Sequence, residues 1–406
     1  MKRLFAVLAG LVLAACSIQP SSSPPQRFAA PAYGQNQRSS SSIPDAYDFL
    51  DLMMDKYATG NTTRLVQSFD GGGVGNFTDA VTYDDALTID ALLSRASSDD
   101  LTRAQVIGNA FAYVQAHDPD GDGRLRAAYA PKPLLKPSDV VATDKTSDTG
   151  NMAWVGQSLV QLFAKTSNAA YLNSALAIAN WLQTNTADSR GAGGYTGGEF
   201  GNGAKIQWKS TEHNVDVFAF FKMLAAATGD SVWNTRAAAA QTFVASMWNA
   251  RQGRFYAGTD NDGKTPNVSF KPEDVNSWSY LAFQDASWAS SIDWDVTNLA
   301  VTAGGFSGVS FCSGDRTGVW FEGTAHLADA LELRNAPGDA AKAQTYLNDI
   351  AYAQTNGKNA DGLGIIAASK NRLSDCDGDY YYASLHVGAT AWYILAAGQK
   401  DPFNLL

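Results

Sequence analysis

The 406-residue chain is poor in cysteine, in histidine and in positive charge. It holds three Cys and four His, and 30 Lys and Arg against 40 Asp and Glu give a formal net charge of -10. Such an acidic chain argues against nucleic acid as a partner. The His residues lack the tight spacing typical of a transition-metal site, so we predict no metal there. The apolar run at residues 4–15 is too short to span a bilayer.

That apolar run follows Lys2 and Arg3 and ends in LAAC at 13–16, so residues 1–16 have the pattern of a targeting segment. The ending resembles the lipobox of bacterial lipoproteins, which implies that Cys16 carries lipid and becomes the mature N-terminus. Residues 17–43 are rich in Ser, Pro and Gln and predict a flexible tether. We therefore expect a domain at 44–406 that is anchored to the bacterial cell envelope through lipid alone, on its periplasmic or outer face.

The other two cysteines, Cys312 and Cys376, are then left as one pair. In an oxidising compartment they would form a disulfide, which restrains a loop of roughly 60 residues and stabilises the fold by about 4 kcal/mol on the chain-entropy model. Two free thiols are the alternative.

Helical patterns recur in pairs along the rest of the chain, and strand signals are sparse. Short polar connectors, such as 228–230 and 336–339, join helices within a pair, whereas the loops between pairs are long and rich in Gly, Asp and aromatics. Because long loops alternate with short turns, the long loops should collect on one face. The predicted helices are residues 44–57, 83–94, 101–117, 148–165, 169–184, 211–228, 231–248, 272–284, 287–303, 319–334, 340–355 and 385–399.

Twelve helices in six hairpins predict an all-α fold, the (α/α)6 toroid, in which an outer ring of helices encloses an inner ring. Inner helices crowd the axis and need small residues, which recur at 153–158, 323–330 and 388–391. In such a toroid the long loops and the N-termini of the inner helices line one open cleft. We expect the protein to be a monomer.

Four polar and aromatic segments resemble the six-hairpin glycosidase superfamily, which includes bacterial endoglucanases and unsaturated glucuronyl hydrolases. They are YDDAL at 83–87, DTGNMAW at 148–154, TEHN at 211–214 and WFEGTA at 320–325. The resemblance spans most of the mature chain and implies a toroid that acts on carbohydrate. It assigns no catalytic positions, so these are chosen from the residues themselves.

Glycoside hydrolysis needs one carboxylic acid to protonate the leaving oxygen and one carboxylate to activate water or attack the sugar. We select Glu212 and Glu322, because each falls in the first turn of an inner helix and has aromatic neighbours; Asp148 is a third candidate that could hold the water or a sugar hydroxyl. Apolar neighbours raise a carboxyl pKa and the helix dipole lowers it, and the sequence does not decide between them. The alternative for Glu212 is that it only complements the dipole. The remaining carboxyl candidates are Asp85, Asp216, Asp377 and Asp379.

Polar and aromatic side chains near these carboxyls are expected to bind the sugar. The segment 375–382 combines acidic residues with three consecutive Tyr and should fold over the cleft, fixed by the disulfide. A neutral His can orient a carboxylate, and His326 lies four residues after Glu322, on the same helix face. The predicted substrate-binding residues are Asp85, His213, Asn214, Trp154, Trp208, Trp320, Asp377, Asp379 and His386.

The alternating residues Asp118, Asp120 and Asp122 resemble the start of a calcium loop. An EF-hand needs a Glu at the twelfth position, where this chain has Tyr129. We therefore favour a solvated acidic turn and predict no cofactor, with calcium at the three aspartates as the alternative.

The leading hypothesis is a cell-envelope glycoside hydrolase that cleaves a neutral or mildly cationic poly- or oligosaccharide by paired-carboxylate acid/base catalysis. A polysaccharide lyase on the same toroid is one alternative, and it would need a Tyr or His base together with Arg or Lys to neutralise a uronate. A non-catalytic glycan-binding lipoprotein is the other. Two carboxyls in the cleft would indicate a hydrolase, whereas a Tyr or His base that faces an Arg would indicate a lyase.

Overall fold

Twelve α-helices organise residues 39–404, the part of the chain that the computed structural model describes. The predicted signal segment, Cys16 and most of the tether lie outside the described residues. The all-α prediction is confirmed, and no helix within 39–404 is both long and apolar enough to cross a membrane. The helices are α1 Ser42–Asp55, α2 Thr82–Arg95, α3 Ser98–Ala116, α4 Thr149–Thr166, α5 Ala169–Asn185, α6 Thr211–Thr228, α7 Val232–Ser246, α8 Asp274–Phe283, α9 Ser290–Asn298, α10 Phe321–Arg334, α11 Asp339–Asn356 and α12 Val387–Ala397.

Six of these helices form a closed inner ring. Helices α2, α4, α6, α8, α10 and α12 each pack against the next, and α12 packs against α2. Helices α3, α5, α7, α9 and α11 each pack against the inner helix that precedes them, and α1 packs against α12. The first helix of the toroid therefore completes the outer ring beside the last one, and the (α/α)6 prediction is confirmed.

Close packing around the axis depends on small residues and on an aromatic core. A side chain at Gly156 in α4 would place its Cβ 2.2 Å from the Phe220 ring of α6, so α4 and α6 could not approach as they do. Phe403, in the short 3-10 turn Pro402–Asn404, packs against Trp154 and Trp278 with ring centroids 5.0 and 5.8 Å apart. The C-terminal turn therefore supports the aromatic residues on the axis.

Capping residues decide where the helices begin. Ser97 and Asp100 form a capping box, in which each side chain accepts a hydrogen bond from the other residue's backbone N–H. Helix α3 therefore starts at Ser98, three residues before the predicted start. The hydroxyl of Ser210 accepts from the backbone N–H of His213 at 3.3 Å and caps α6.

Short β-strands lie in the loops between the helices. They pair antiparallel in small sheets, of which β2-β3-β4 and β5-β6-β7 have three strands. The strands are β1 Phe69–Asp70, β2 Ala80–Val81, β3 Ala128–Tyr129, β4 Ala142–Asp144, β5 Ser147–Asp148, β6 Gly198–Glu199, β7 Lys205–Ile206, β8 Trp248–Asn249, β9 Arg254–Phe255, β10 Ala300–Ala303, β11 Phe306–Val309, β12 Leu373–Ser374, β13 Tyr380–Tyr381 and β14 Leu385–His386.

The helix predicted at 287–303 is wrong at its C-terminal end. Helix α9 stops at Asn298, and β10 pairs with β11 across Gly304 and Gly305. Both glycines have positive φ, 64° and 90°, which a tight hairpin needs and which other residues rarely adopt.

The helix predicted at 385–399 is wrong at its N-terminal end. Strand β14 pairs with β1, so Leu385 and His386 are extended and α12 begins at Val387. This pairing joins segments far apart in the chain, and hydrophobic periodicity does not record it.

Candidate active site

The N-terminal turns of the inner helices surround one cavity on the axis, which we call the inner cavity. Each of five helices contributes a polar residue to its lining: Tyr83 of α2, Asn151 of α4, Glu212 of α6, Asp274 of α8 and Glu322 of α10. Its volume is about 200 Å³, which is room for one ring of a small ligand. The aromatic part of the wall consists of Trp154, Trp278, Phe311, Trp320 and Tyr381.

Glu322 is held in its ionised form by three neighbours. Its Oε1 accepts a hydrogen bond from the Tyr83 hydroxyl at 2.7 Å and lies 3.8 Å from Nε2 of His326. Its Oε2 lies 3.5 Å from Nδ1 of His386. Burial raises the pKa of this carboxyl, but the two histidines and the Tyr83 hydroxyl outweigh burial, so the pKa of Glu322 is lowered.

Tyr83 is oriented toward Glu322 by a tryptophan. The Trp392 indole N–H donates to the Tyr83 oxygen at 2.8 Å, which leaves the hydroxyl proton for Glu322. Burial and the charge of Glu322 raise the pKa of Tyr83 well above its usual value. Tyr83 is therefore a hydrogen-bond donor and is poorly suited to act as a base.

His326 lies between two glutamates. It is fully buried, and its Nδ1 is 3.1 Å from Oε2 of Glu273. Burial lowers its pKa, but Glu273 and Glu322 together raise it to about 9. The imidazole is thus positively charged at neutral pH and supports the ionised form of Glu322.

Glu212 lines the same cavity in the opposite electrostatic environment. Burial and the carboxyls of Asp274 and Asp148 raise its pKa well above the usual value. Asp216, one turn further along α6, is fully buried, and burial and Glu212 raise its pKa as well. Glu212 is therefore protonated under conditions in which Glu322 is ionised.

Asp274 and Asp148 are two further carboxyls whose pKa values are raised. Burial raises the pKa of each to about 7, with further contributions from Glu273 at Asp274 and from Asp144 at Asp148. Asp274 lines the inner cavity, whereas Asp148 is the residue that precedes α4 and influences Glu212 from there. Both carboxyls can gain or lose a proton near neutral pH.

A larger cavity, the outer groove, adjoins the inner cavity. Its volume is about 790 Å³, and Glu212 and Phe311 line both spaces. Two predicted binding residues, Trp208 and His213, line the outer groove and lie with ring centroids 5.6 Å apart. Burial lowers the pKa of His213 to about 4, so its imidazole is neutral.

The segment predicted to cover the cleft forms a hairpin of β12 and β13. Leu373 pairs with Tyr381, which lines the inner cavity, and Asp377 in the turn lines the outer groove. The predicted disulfide between Cys312 and Cys376 is confirmed and ties this hairpin to the loop before α10.

Two predicted binding residues have their polar atoms turned into the fold. Asp85 is fully buried, and its Oδ1 accepts from the backbone N–H of Val66 at 2.8 Å. The Asn214 amide accepts from Tyr195 N at 2.8 Å and donates to the carbonyls of Tyr195 and Ser210. Each lies two residues after a cavity-lining residue, hence on another face of its helix. We assign both to the structure of the fold.

Two further predicted residues lie beside the cavities. His386 stacks on Phe69 at a centroid distance of 4.1 Å, and its Nε2 is 3.3 Å from Asp84, so it supports Glu322 from behind. Asp379 is exposed at the end of the hairpin turn and does not line either cavity.

Glu273 and Asp274 were not among the residues predicted from the sequence. Both stand at the start of a predicted helix, which is the pattern that pointed to Glu212, and Asp274 lines the inner cavity as Glu212 does. In the segment 83–87, Asp85 was predicted to bind the sugar, but Tyr83 is the residue that lines the cavity.

The acidic turn predicted to be solvated is paired with two arginines. Arg126 contacts Asp118 at 2.6 Å and Asp120 at 2.7 Å, and Arg124 contacts Asp122 at 2.7 Å. Asp120 and Asp122 are exposed, as a solvated turn requires, whereas Asp118 is buried against Arg126. Within residues 39–404 no group of three or more His, Cys, Asp or Glu is arranged to hold a metal ion.

Comparisons with known proteins place the fold. No protein-family model matches the chain, and no curated protein matches its sequence. Several solved structures, by contrast, superpose on the fold of this chain. A cellobiose 2-epimerase from Bacillus thermoamylovorans superposes with a TM-score of 0.67 at 10% identity, over 88% of this chain and 97% of that chain.

Two other structures are similar over nearly their whole length. A D-mannose isomerase has a TM-score of 0.65 at 11% identity and covers 92% of this chain and 100% of its own. A glycosidase in complex with glucose has a TM-score of 0.60 at 14% identity, with coverage of 91% and 99%. The chain therefore has the same toroid fold as these structures, and its activity has to be argued from the site.

Proposed function

We propose that this protein is a glycoside hydrolase in which Glu212 is the general acid and Glu322 is the carboxylate that activates water or attacks the sugar. One observation carries the proposal: two glutamates line one cavity, and their surroundings shift their pKa values in opposite directions. Glycoside hydrolysis needs this difference between two carboxyls. The similarity to a glycosidase with bound glucose supports carbohydrate as the substrate class.

In this mechanism the glycosidic oxygen takes the Glu212 proton while its bond to the anomeric carbon breaks. The carboxylate of Glu322 stabilises the positive charge that develops on the ring. Either water attacks the carbon and gives a proton to Glu322, or Glu322 attacks directly and water later releases the sugar. Asp274, whose pKa is about 7, lies in the same wall and can help return a proton to Glu212.

The lining of the inner cavity favours hydrolysis over a lyase reaction. Among the described residues of its wall there is no Lys, Arg or His, so nothing there would neutralise a uronate. Its two tyrosines, Tyr83 and Tyr381, have pKa values raised by burial and by Glu322, which makes them poor bases. Trp154, Trp278 and Trp320 also line the cavity, and aromatic residues of this kind suit the apolar face of a sugar ring.

We place this activity in the bacterial cell envelope. The support is the lipobox-like sequence before Cys16 and the disulfide between Cys312 and Cys376, a bond typical of oxidising compartments.

The test is a screen of the purified full-length protein against a panel of poly- and oligosaccharides, with products identified by mass and by proton NMR. We expect the masses of the two products to sum to the mass of the substrate plus one water. Unsaturated ends would indicate a lyase, and a changed sugar of unchanged mass would indicate an epimerase or isomerase; either result would overturn the proposal.

The matched variants are Glu322→Gln and Glu332→Gln. Both lie on α10, but Glu332 is not among the residues that line either cavity, and it accepts a hydrogen bond from Gln399. We expect the first to lose turnover by several orders of magnitude and the second to keep it.

A further inference from the structure

The walls of the outer groove carry negative charge with little to neutralise it. Four aspartates line it, Asp260 and Asp262 from the loop between α7 and α8, and Asp375 and Asp377 from the hairpin turn. The only Lys or Arg among its described lining residues is Lys209.

The charge of Lys209 is directed away from the groove. The residue is 1% exposed, and its ammonium donates to the carbonyls of Arg190 and Gly193 at 2.6 and 2.7 Å. It also lies 3.7 Å from Asp188, which offsets its charge inside the fold. His213, the other basic residue of the lining, is neutral.

Backbone amides fix two of the aspartates, and the side chains of Lys264 and Arg190 also act on Asp262. The carboxylate of Asp262 accepts from the amides of Lys264 and Thr265, and its pKa is lowered to about 2 by the Thr265 hydroxyl and these amides, with a smaller contribution from the Lys264 charge. Asp375 accepts from three successive amides of the hairpin turn. Backbone amides fix a carboxylate in place without cancelling its charge, so the groove keeps a negative potential.

The same groove has features that suit a sugar chain. Trp208, Phe270 and Phe311 line it beside the aspartates. It adjoins the inner cavity, with which it shares the lining residues Glu212 and Phe311, and Trp154, Trp278 and Trp320 lie in the wall of that cavity.

We propose that the outer groove selects a glycan whose hexosamine units carry free, protonated amino groups. Apolar ring faces would stack on the aromatic residues while ammonium groups lie near Asp260, Asp262, Asp375 and Asp377. A polymer of uronic acids would be repelled by the same carboxylates. This inference rests on the proposed glycoside hydrolase function and names the substrate class of its cleft.

The test measures binding to full-length Glu322→Gln protein by calorimetry. The probes are a β-1,4-linked glucosamine pentamer, its fully N-acetylated counterpart and the glucose pentamer of the same linkage. We expect the glucosamine pentamer to bind at least tenfold more tightly than either neutral pentamer in 20 mM salt, and this preference to shrink severalfold in 500 mM salt because exposed charges are screened.

A triple variant, Asp260→Asn with Asp262→Asn and Asp377→Asn, should lose the preference while it binds the neutral pentamers as before. Asp48→Asn, on the exposed side of α1, is the control and should keep it. Equal affinity for the three pentamers, no binding of the glucosamine pentamer, or a preference that survives the triple change would each overturn the inference. Failure of the proposed function would appear separately, as normal turnover by the Glu322→Gln protein on whichever glycan the wild type cleaves.

Discussion

Glu212 and Glu322 occupy equivalent positions, the first turns of α6 and α10, where both feel the positive end of a helix dipole. Their neighbours differ. Two histidines and the Tyr83 hydroxyl surround Glu322, whereas Glu212 lies near other carboxyls. The separation of their pKa values therefore depends on a few side chains, each of which can be changed singly.

Replacing Tyr83 by Phe should shift the acidic limb of the rate profile. The hydroxyl bonds the ionised form of Glu322, so its loss raises the pKa of that carboxyl. A hydrogen bond to a charged group is worth roughly 1.5–3 kcal/mol, so kcat/KM should begin to fall about 1–2 pH units higher on acidification. The measurement is kcat/KM from pH 3 to pH 9 for both proteins.

The control is Tyr171→Phe, which removes a hydroxyl that donates to Asn109 in the outer ring. It should leave the pH profile in place. A Tyr83→Phe profile that coincides with the wild type would mean that Tyr83 does not tune Glu322.

The protein should become less stable at alkaline pH, because His326 loses its positive charge there. Its pKa is about 9 in the folded protein, above the ordinary value of 6.5, so its contribution is fully present below pH 6.5 and is lost as pH rises through 9. The contribution is on the order of 3 kcal/mol. Denaturant unfolding at pH 6.5 and pH 10 should show a decrease that is smaller in His326→Gln. His117→Gln, at the end of α3, should keep the wild-type decrease, and equal decreases in all three proteins would contradict the assignment.

At the residue scale the sequence predicts which helix turn bears the chemistry better than which side chain. Glu212 and Glu322 were identifiable because a carboxyl followed a capping position and aromatic neighbours stood close. Asn214 was selected although it faces the fold, and Asp274 was missed although it lines the cavity. Successive side chains on a helix are rotated by about 100° about its axis, so an error of one residue changes which side chain faces the cavity. The sequence does not give that rotation to the required accuracy.

At the element scale, the hairpin of β12 and β13 should control access to the site. The disulfide at Cys376 fixes it, and Tyr381 and Asp377 reach the two cavities from it. Cys376→Ser with Cys312→Ser should therefore raise KM roughly tenfold, because the hairpin must be ordered on binding, with a smaller effect on kcat. It should also lower the free energy of unfolding by about 4 kcal/mol.

Steady-state kinetics and hydrogen exchange of residues 373–381 check this, with reduced wild-type protein as a second sample that should match the variant. Unchanged KM and unchanged exchange protection would show that packing alone holds the hairpin.

The helices themselves were largely predictable, because each inner helix has small or apolar residues at helical spacing and polar residues before it. The ends at Asn298 and Val387 were not. Strand pairings set both, between β10 and β11 and between β14 and β1, and such pairings compete with helix propensity only once the fold brings the strands together.

At the scale of the whole molecule, alternating short turns and long loops predicted the toroid and its single open face. The contacts that close the outer ring could not be predicted from the sequence, because they join distant parts of the chain. The Ser42 hydroxyl of α1 hydrogen-bonds to Gln354 and Tyr393. These buried contacts also indicate that removal of the tether should stop before residue 42.

The predicted lipid anchor at Cys16 lies before the described residues and can be tested separately. Cys16→Ser should abolish incorporation of labelled fatty acid and release the protein from membranes, because the lipobox-like sequence requires the thiol. Cys312→Ser should leave labelling intact. Labelling that persists in the Cys16 variant, or a mature N-terminus elsewhere, would remove the lipoprotein assignment.

The central claim is that Glu212 donates the proton and Glu322 acts as the carboxylate, and one comparison tests it most directly. Glu212→Gln and Glu322→Gln are each assayed on the natural glycan and on an aryl glycoside of the same sugar, whose leaving group departs without protonation. Loss of the acid should cost several orders of magnitude on the glycan and far less on the aryl glycoside, whereas loss of the carboxylate should cost several orders of magnitude on both. Near-normal turnover of the glycan by either variant, or the same loss on both substrates in the Glu212 variant, would contradict the assignment and move the test to Asp274 and Asp148.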